Sequence, residues 1–216
     1  MRQALIVTGG TVETAFVRTY LWKMKPDFLI AVDSGMKFFY EAEIKPDMIV
    51  GDFDSVEPKI LDYFEAQANI EWLRLVPEKD DTDTEAAIRQ AIALGYTKIH
   101  ILGGTGTRID HMLGNIHLLG IGLQEKAEIF LVDANNRIRM INHGIKLKKE
   151  EQYGKYVSLL PFTPEVKGLT LKGMKYPLQE HTLMCFNSLG ISNEIVEDIA
   201  EITFTEGVLL VVETKD

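Results

Sequence analysis

A single cysteine, Cys185, stands in 216 residues. That excludes an intramolecular disulfide framework and fits a reducing compartment. Long hydrophobic runs are also missing. The longest near the C-terminus is residues 208–212, far short of the roughly 20 apolar residues of a membrane span. The N-terminal stretch MRQALIVTGG is apolar only as far as Gly9-Gly10 and then turns polar, the pattern of a first strand and turn rather than a secretion signal. Positive charge is scarce too: 23 Lys and Arg against 32 Asp and Glu give a net charge of −9. Phosphate backbones demand a basic face, so general nucleic-acid binding is not expected. The expectation is a cytoplasmic protein with no membrane and no nucleic-acid partner. Hydrophobic residues make up 46% of the chain, enough for the ordinary cores of one large domain or two modest ones.

The two halves of the chain differ in pattern. Residues 4–7, 28–32, 48–50, 72–76, 98–102 and 128–132 are short apolar runs separated by helical stretches. Thr82 and Glu85 form a capping-box pattern before AAIRQAIALG, with Gly95 as its stop, and Ser55 with Pro58 marks another helix start. Such alternation predicts an α/β domain with a mostly parallel sheet and flanking helices. Beyond Asn135-Asn136 the helical patterns stop. RIRMIN, GIKLKK, YVSLLPF, GLTLKG, EITFTE and VLLVVE follow, short and spaced by Gly, Pro and Asn, which predicts an all-β sandwich or small barrel. The expected domains are residues 1–134 and 135–216.

Three loops carry chemistry. GDFDS (51–55) ends the third apolar run in two carboxylates. If the strand stays extended there, Asp52 and Asp54 share a face and Phe53 points away. Either Asp54 or Ser55 could instead cap the next helix. PEKDDTDTE (77–85) places five carboxylates in a short loop, relieved only by Lys79. In a parallel sheet both loops leave the same edge, where ligands bind in open α/β folds. Two acidic loops converging there repel unless a cation lies between them. Oxygen donors without a His/Cys set point to magnesium. The third loop, GGTGTRIDH (103–111), lies between a strand and a helix. Gly103, Gly104, Thr105 and Gly106 there suit a backbone cradle for phosphates, and Arg108 a bidentate clamp. It matches neither the dinucleotide nor the P-loop fingerprint. A cradle, an arginine and a carboxylate-held metal together suggest phosphoryl-type transfer from a nucleotide.

GDFDS, KDDTD (79–83), GGTGTRIDH, GMKYPL (173–178) and SLGISNE (188–194) stand in the order and spacing of thiamine pyrophosphokinases, and the chain resembles that family over nearly its whole length. The resemblance implies transfer of the β,γ-pyrophosphoryl group of ATP to the hydroxyl of thiamine, giving thiamine diphosphate and AMP. It also implies a homodimer whose active sites are shared between subunits, each joining one subunit's α/β domain to the other's β domain. Asp52, Asp54 and Asp83 match the family's Mg2+-binding carboxylates, and Asp80 and Thr82 belong to the same loop as substrate or supporting groups. Asp33 and Gly35 match a turn at the nucleotide site, although Asp33 equally suits a helix cap. Arg108, Asp110 and His111 match the end of the nucleotide loop. Ser192 and Asn193 match the thiamine-side motif, and Tyr176 takes an aromatic position suited either to stacking on the vitamin or to core packing. Thr107 replaces a glycine common in the family. His100, His117, His143 and His181 show no metal spacing and are expected to be structural or surface residues.

Three rival readings remain at this level. DFDS resembles a phosphoaspartyl phosphatase signature with Asp52 as nucleophile. DxD also occurs as a glycosyltransferase metal motif, and a nucleotide-responsive binding module needs no catalysis at all. The phosphatase reading leaves GGTGTRIDH and the β-rich half unexplained.

Overall fold

The computed structural model of the chain describes residues 2–76, 81–106 and 108–216. They form two compact units, Met1–Ala134 and Asn135–Asp216. Among the described residues no helix is long and apolar enough to cross a membrane.

In the first unit strands alternate with helices: β1 (Gln3–Val7), α1 (Thr14–Met24), β2 (Phe28–Val32), α2 (Met36–Ala42), β3 (Met48–Gly51), α3 (Pro58–Glu65), β4 (Glu71–Arg74), α4 (Asp83–Ala93), β5 (Lys98–Leu102), α5 (Ile109–Glu125) and β6 (Glu128–Val132). A 3-10 turn, Asp33–Gly35, joins β2 to α2. The strands pair in parallel in the order β6-β5-β1-β2-β3-β4. The central strands are buried along nearly their whole length, because crossover helices cover such a sheet. Right-handed crossovers put α1 to α3 on one face and α5 on the other, since the chain progresses in opposite directions from β1 and from β5. The direction reverses at the adjacent pair β1 and β5, which is where such sheets open a ligand crevice.

Local signals act as expected at several boundaries. The Glu85 N–H donates to Thr82 Oγ1 at 3.2 Å at the start of α4, and Gly95 follows that helix at φ +83°. Pro58 opens α3, but the residue before it, Glu57, makes no side-chain cap. Neither Asp54 nor Ser55 caps this helix. Ser55 Oγ instead donates to Asp33 Oδ2 at 2.5 Å.

The second unit is a sandwich of β7 (Asn136–Ile141), β8 (Ile145–Lys148), β9 (Tyr156–Pro161), β10 (Glu165–Lys172), β11 (Leu178–Met184), β12 (Asn193–Glu194), β13 (Ile199–Thr203) and β14 (Leu209–Thr214). Antiparallel pairing gives one sheet β12-β9-β14-β7 and another β11-β10-β13-β8. Val157, Leu159, Leu209 and Val211 from the first sheet pack with Val166, Leu171, Leu183 and Ile202 from the second in one buried cluster. Strand β14 alternates buried and half-buried positions along its length, the period-2 pattern of a sheet with one face on the core. A buried ion pair braces the same strand: Arg137 Nη2 lies 2.7 Å from Glu213 Oε1, and the Tyr153 N–H also donates to Oε1 at 3.2 Å.

Candidate active site

The turns after β1, β2, β3 and β5 and the segment before α4 open onto one cleft of about 900 Å³ in the first unit. Its acidic side carries Asp33, Asp52, Asp81 and Asp83, with Thr82 and Thr84. Opposite in chemistry are Gly103, Gly104, Gly106 and Arg108, followed on α5 by Asp110 and His111. Most of the residues singled out from sequence therefore meet in one place. Asp54, Thr105 and Gly35 are not among its lining residues. Gly35 is buried beneath the end of β1, where a Cβ would come within 2.2 Å of the Val7 carbonyl oxygen. Asp80 and Thr107 lie outside the described residues.

The GDFDS loop does not remain extended. Phe53 adopts φ +68°, a left-handed conformation rare for a bulky side chain, and the Asp54 N–H donates to Asp52 Oδ1 at 3.2 Å. Phe53 is buried, edge-on to Trp72 with ring centroids 5.4 Å apart, and the Arg74 guanidinium lies 5.4 Å from its ring centre. The aromatic residue thus anchors a turn, and the shared face expected of Asp52 and Asp54 is lost. Asp52 lines the cleft and is half-buried, whereas Asp54 is exposed.

Asp33 also sits at positive φ, +47°. Its Oδ2 accepts from Ser55, which ties the turn after β2 to the turn after β3. Its Oδ1 is buried and makes no well-formed hydrogen bond. Burial raises the Asp33 carboxyl above its ordinary value; the Ser55 hydrogen bond opposes this, and the charges of Asp83 and Asp52 add to the rise. In the same lining, Arg108 Nη2 donates to Asp110 Oδ2 at 2.6 Å. That bond, chiefly, brings Asp110 down to about 2.

Sequence reasoning missed the turn after β1. Thr8, Gly9, Gly10 and Thr11 all line the cleft. The Gly10 N–H and Thr8 Oγ1 both donate to the Gly103 carbonyl, each at 2.9 Å. A Cβ on Gly10 would fall 2.1 Å from that oxygen, and one on Gly103, at φ +74°, 2.5 Å from the Thr8 oxygen. Two glycine turns therefore interlock where the strand order reverses. The T-G-G-T string was visible in the sequence, but the adjacency of β1 and β5 that gives it meaning was not. Asp81, Asn115, Gly114 and Leu118 are further lining residues.

Among the described residues no three His, Cys, Asp or Glu side chains stand as a ready metal cluster. The donor set nonetheless fits a hard divalent cation. Asp33, Asp52, Asp81 and Asp83 contribute to the lining, one with a buried oxygen that makes no well-formed hydrogen bond, and Arg108 is the lining's lone Lys or Arg among the described residues and is engaged by Asp110.

In the second unit GMKYPL and SLGISNE come together. Met174 bridges Ile195, the Lys175 N–H donates to the Glu194 carbonyl at 2.9 Å, and Lys175 Nζ meets Glu194 Oε1 at 2.6 Å. Tyr176 is 60% exposed, so core packing does not hold its ring. Asn193 is buried; its Oδ1 accepts the Tyr176 N–H at 3.0 Å and its Nδ2 donates to the Tyr176 carbonyl at 2.8 Å. The Asn193 amide is thus spent on presenting Tyr176. Ser192, exposed and at φ +59°, donates its N–H to Ser158 Oγ at 2.9 Å. His100 is buried, 2.6 Å from the Tyr20 hydroxyl and stacked on Phe130, as expected of a structural histidine.

Comparison with known proteins identifies both halves of the chain. Residues 19–131 match the family model of the thiamin pyrophosphokinase catalytic domain, and residues 142–209 that of the thiamin pyrophosphokinase vitamin B1 binding domain. A thiamine pyrophosphokinase of Bacillus subtilis (strain 168) is 34% identical over 187 residues, covering 87% of each chain. The crystal structure of thiamine pyrophosphokinase from Bacillus subtilis superposes with a TM-score of 0.89 at 31% identity over 100% of both chains. That of thiamin pyrophosphokinase from Geobacillus thermodenitrificans gives 0.86 at 28% identity, covering 99% of this chain and 98% of the other. With both halves matched and the motif loops gathered at one cleft and one turn pair, the chain belongs to the thiamin pyrophosphokinase family.

Proposed function

We propose that this thiamine pyrophosphokinase holds the phosphates of ATP in the cleft of its first unit, together with Mg2+, and presents thiamine from its second unit. The observation that carries this reading is the charge opposition inside the cleft. Asp33, Asp52, Asp81 and Asp83 face a pair of interlocked glycine turns and Arg108. A polyphosphate brought there without a cation meets like charge, and two unit charges 4 Å apart near a protein surface repel by about 4 kcal/mol. Asp52 and Asp83, which line the cleft, would hold the ion, with Asp80 and Thr82 in supporting roles and Asp54, outside the lining, shaping the turn that carries Asp52. Mg2+ keeps several of its waters and takes phosphate oxygens, so it does not require a closed protein cage. When bound, it supplies charge neutralisation on the transferring group.

The chain's own residues do the positioning. Backbone N–H groups of Gly103, Gly104 and Gly106, in the turn that leads into α5, donate to phosphate oxygens, with Thr105 spacing them. Arg108 and His111 add charge-assisted donors, with Asp110 orienting the guanidinium. Asp33 and Gly35 shape the neighbouring turn. With the donor fixed, the thiamine hydroxyl attacks the β-phosphorus. The new O–P bond forms as the bridge to the α-phosphate breaks; that electron pair leaves with AMP, and the hydroxyl proton is released to solvent. Little covalent chemistry falls to the protein, so positioning and charge dominate the rate.

Tyr176 offers an exposed aromatic face to the cationic vitamin, a contact of roughly 0.5–2 kcal/mol. Asn193 fixes that face and Ser192 stands beside it. The enzyme works as a cytoplasmic homodimer with active sites shared between subunits. The fully exposed Phe186, with Leu189 and Ile191 beside Ser192, supports a surface that another copy covers. Product analysis after incubation with ATP, magnesium and thiamine tests the reading. AMP and thiamine diphosphate in equal amounts are expected. ADP with thiamine monophosphate, or full turnover with the metal chelated, overturns it.

A further inference from the structure

Thr8, His100, Ser158, Asn193 and Glu213 are the buried polar or charged residues among the described ones. Buried polar groups are retained where they have a hydrogen-bond partner, and the partner of Ser158 is a backbone N–H outside its own strand. Ser158 stands in β9 between Val157 and Leu159, which belong to the sandwich core. Side chains alternate along a strand, so Ser158 lies on the opposite face of its sheet. There its Oγ accepts the Ser192 N–H at 2.9 Å.

That bond stands in for a rung of the ladder. Asn193 pairs with Val157, and the Leu159 N–H donates to the Gly190 carbonyl at 2.8 Å. Strand β9 advances two residues between these contacts, while the facing segment spends three, from Gly190 to Asn193. One residue is therefore extra, and the pairing is bulged. Ser192 takes up the excess at φ +59°, a conformation uncommon outside glycine. The bulge is fixed at both ends, by the Asn193 pairing and by Gly190, where a Cβ would fall 2.2 Å from the Leu159 carbonyl oxygen. Bulges re-aim a side chain and are over-represented beside active sites. Here the re-aimed side chain is that of Ser192, which is exposed and stands one residue before the amide that holds Tyr176.

We infer that Ser158 is a positioning residue for the vitamin: its hydroxyl receives the N–H that the bulge turns out of the ladder and so fixes the direction of the Ser192 side chain. The inference rests on the proposed function, which gives thiamine to the second unit. It assigns a role to a residue outside the five motif stretches read from the sequence. Without this acceptor the Ser192 N–H is left unpaired in a part-buried turn, an arrangement that folded chains avoid. The turn then gives up its positive φ, and the Ser192 side chain points elsewhere. Neither Ser158 nor Ser192 belongs to the lining of the phosphate cleft, so the effect is confined to the vitamin.

The test is a double-mutant cycle of Ser158→Ala and Ser192→Gly, read as KM for thiamine and KM for ATP. Ser158→Ala should raise KM for thiamine about tenfold, as loss of one hydrogen-bond partner does, and leave KM for ATP within about twofold of wild type. Glycine adopts the left-handed conformation freely, so Ser192→Gly keeps the turn but has no side chain to aim. Adding Ser158→Ala to it should change KM for thiamine by less than about twofold. A merely structural serine gives additive losses, or equal losses for both substrates, and either pattern overturns the inference. Unchanged KM for thiamine in Ser158→Ala overturns it as well. Should that variant not fold, Ser158→Cys, close in size but a weak acceptor, enters the same cycle with the same direction expected. If AMP and thiamine diphosphate are made while Ser192→Gly keeps the wild-type KM for thiamine, the inference falls and the proposed reaction stands. ADP as the wild-type product refutes the proposed reaction, and the cycle still scores Ser158 through KM for thiamine.

Discussion

Phe53 is the residue on which the geometry of the GDFDS turn depends, and its replacement makes a quantitative prediction. Its ring is 7% exposed, edge-on to Trp72 and within cation-π range of Arg74. Truncation of a buried Phe to Ala costs about 3–5 kcal/mol; the lower end applies to a ring at a loop edge, so Phe53→Ala should lose about 3 kcal/mol. The backbone adds a second term. Phe53 sits at φ +68°, and an L-residue in the left-handed region carries about 1–2 kcal/mol of strain that alanine retains and glycine relieves. Phe53→Gly should therefore be more stable than Phe53→Ala by about 1 kcal/mol, the reverse of the usual order. Both tryptophans, Trp22 and Trp72, lie in the first unit, so urea unfolding followed by tryptophan emission reads that unit. Loss of the anchor should also lower kcat, because Asp52 is held by the Asp54 N–H across the turn. An Ala variant within about 1 kcal/mol of wild type would refute the anchor, and a Gly variant less stable than Ala would refute the strain.

Asp33→Asn should raise the melting temperature of the metal-free protein near neutral pH while lowering activity. Asp33's folded-state pKa is raised, principally by burial, so the native state binds its proton more tightly than the unfolded chain does. That favours folding below the ordinary carboxylate range and opposes it as pH rises through the folded value. The stability gain of the variant should thus shrink toward zero as pH falls to about 4; a gain that is constant or larger in acid refutes the assignment. Complementation tests the shared site: mixing Asp52→Asn with Tyr176→Ala under subunit exchange should restore about a quarter of wild-type activity, because half the dimers are mixed and each carries one intact site. If exchange is confirmed by mass and no activity returns, each site is built within one chain.

Much of the fold was legible because it is written locally. The runs 28–32, 98–102 and 128–132 are strands β2, β5 and β6 with the same bounds, and the Thr82 cap and Gly95 stop bracket α4. Strand β11, LQEHTLM, was missed because it pairs only with β10 on one side of its sheet and is mostly exposed, so its apolar periodicity is weak. Asn193 was read as a ligand for the vitamin, since nothing in SLGISNE reveals that its amide closes on Tyr176, 17 residues upstream.

The sequence by itself determined which segments become strands and helices, where the pattern changes from α/β to all-β, and which loops carry carboxylates, glycines and arginine. Those properties depend on side-chain periodicity and on turn chemistry within a few residues. Only the tertiary structure decided that β5 returns beside β1, bringing Gly103 onto the carbonyl and hydroxyl of Thr8, 95 residues earlier. It also decided that Phe53 folds inward against Trp72, leaving Asp52 in the cleft and Asp54 outside its lining. Strand order and loop closure are set by which distant apolar faces bury one another, and that competition involves the whole chain at once. No local pattern records its outcome.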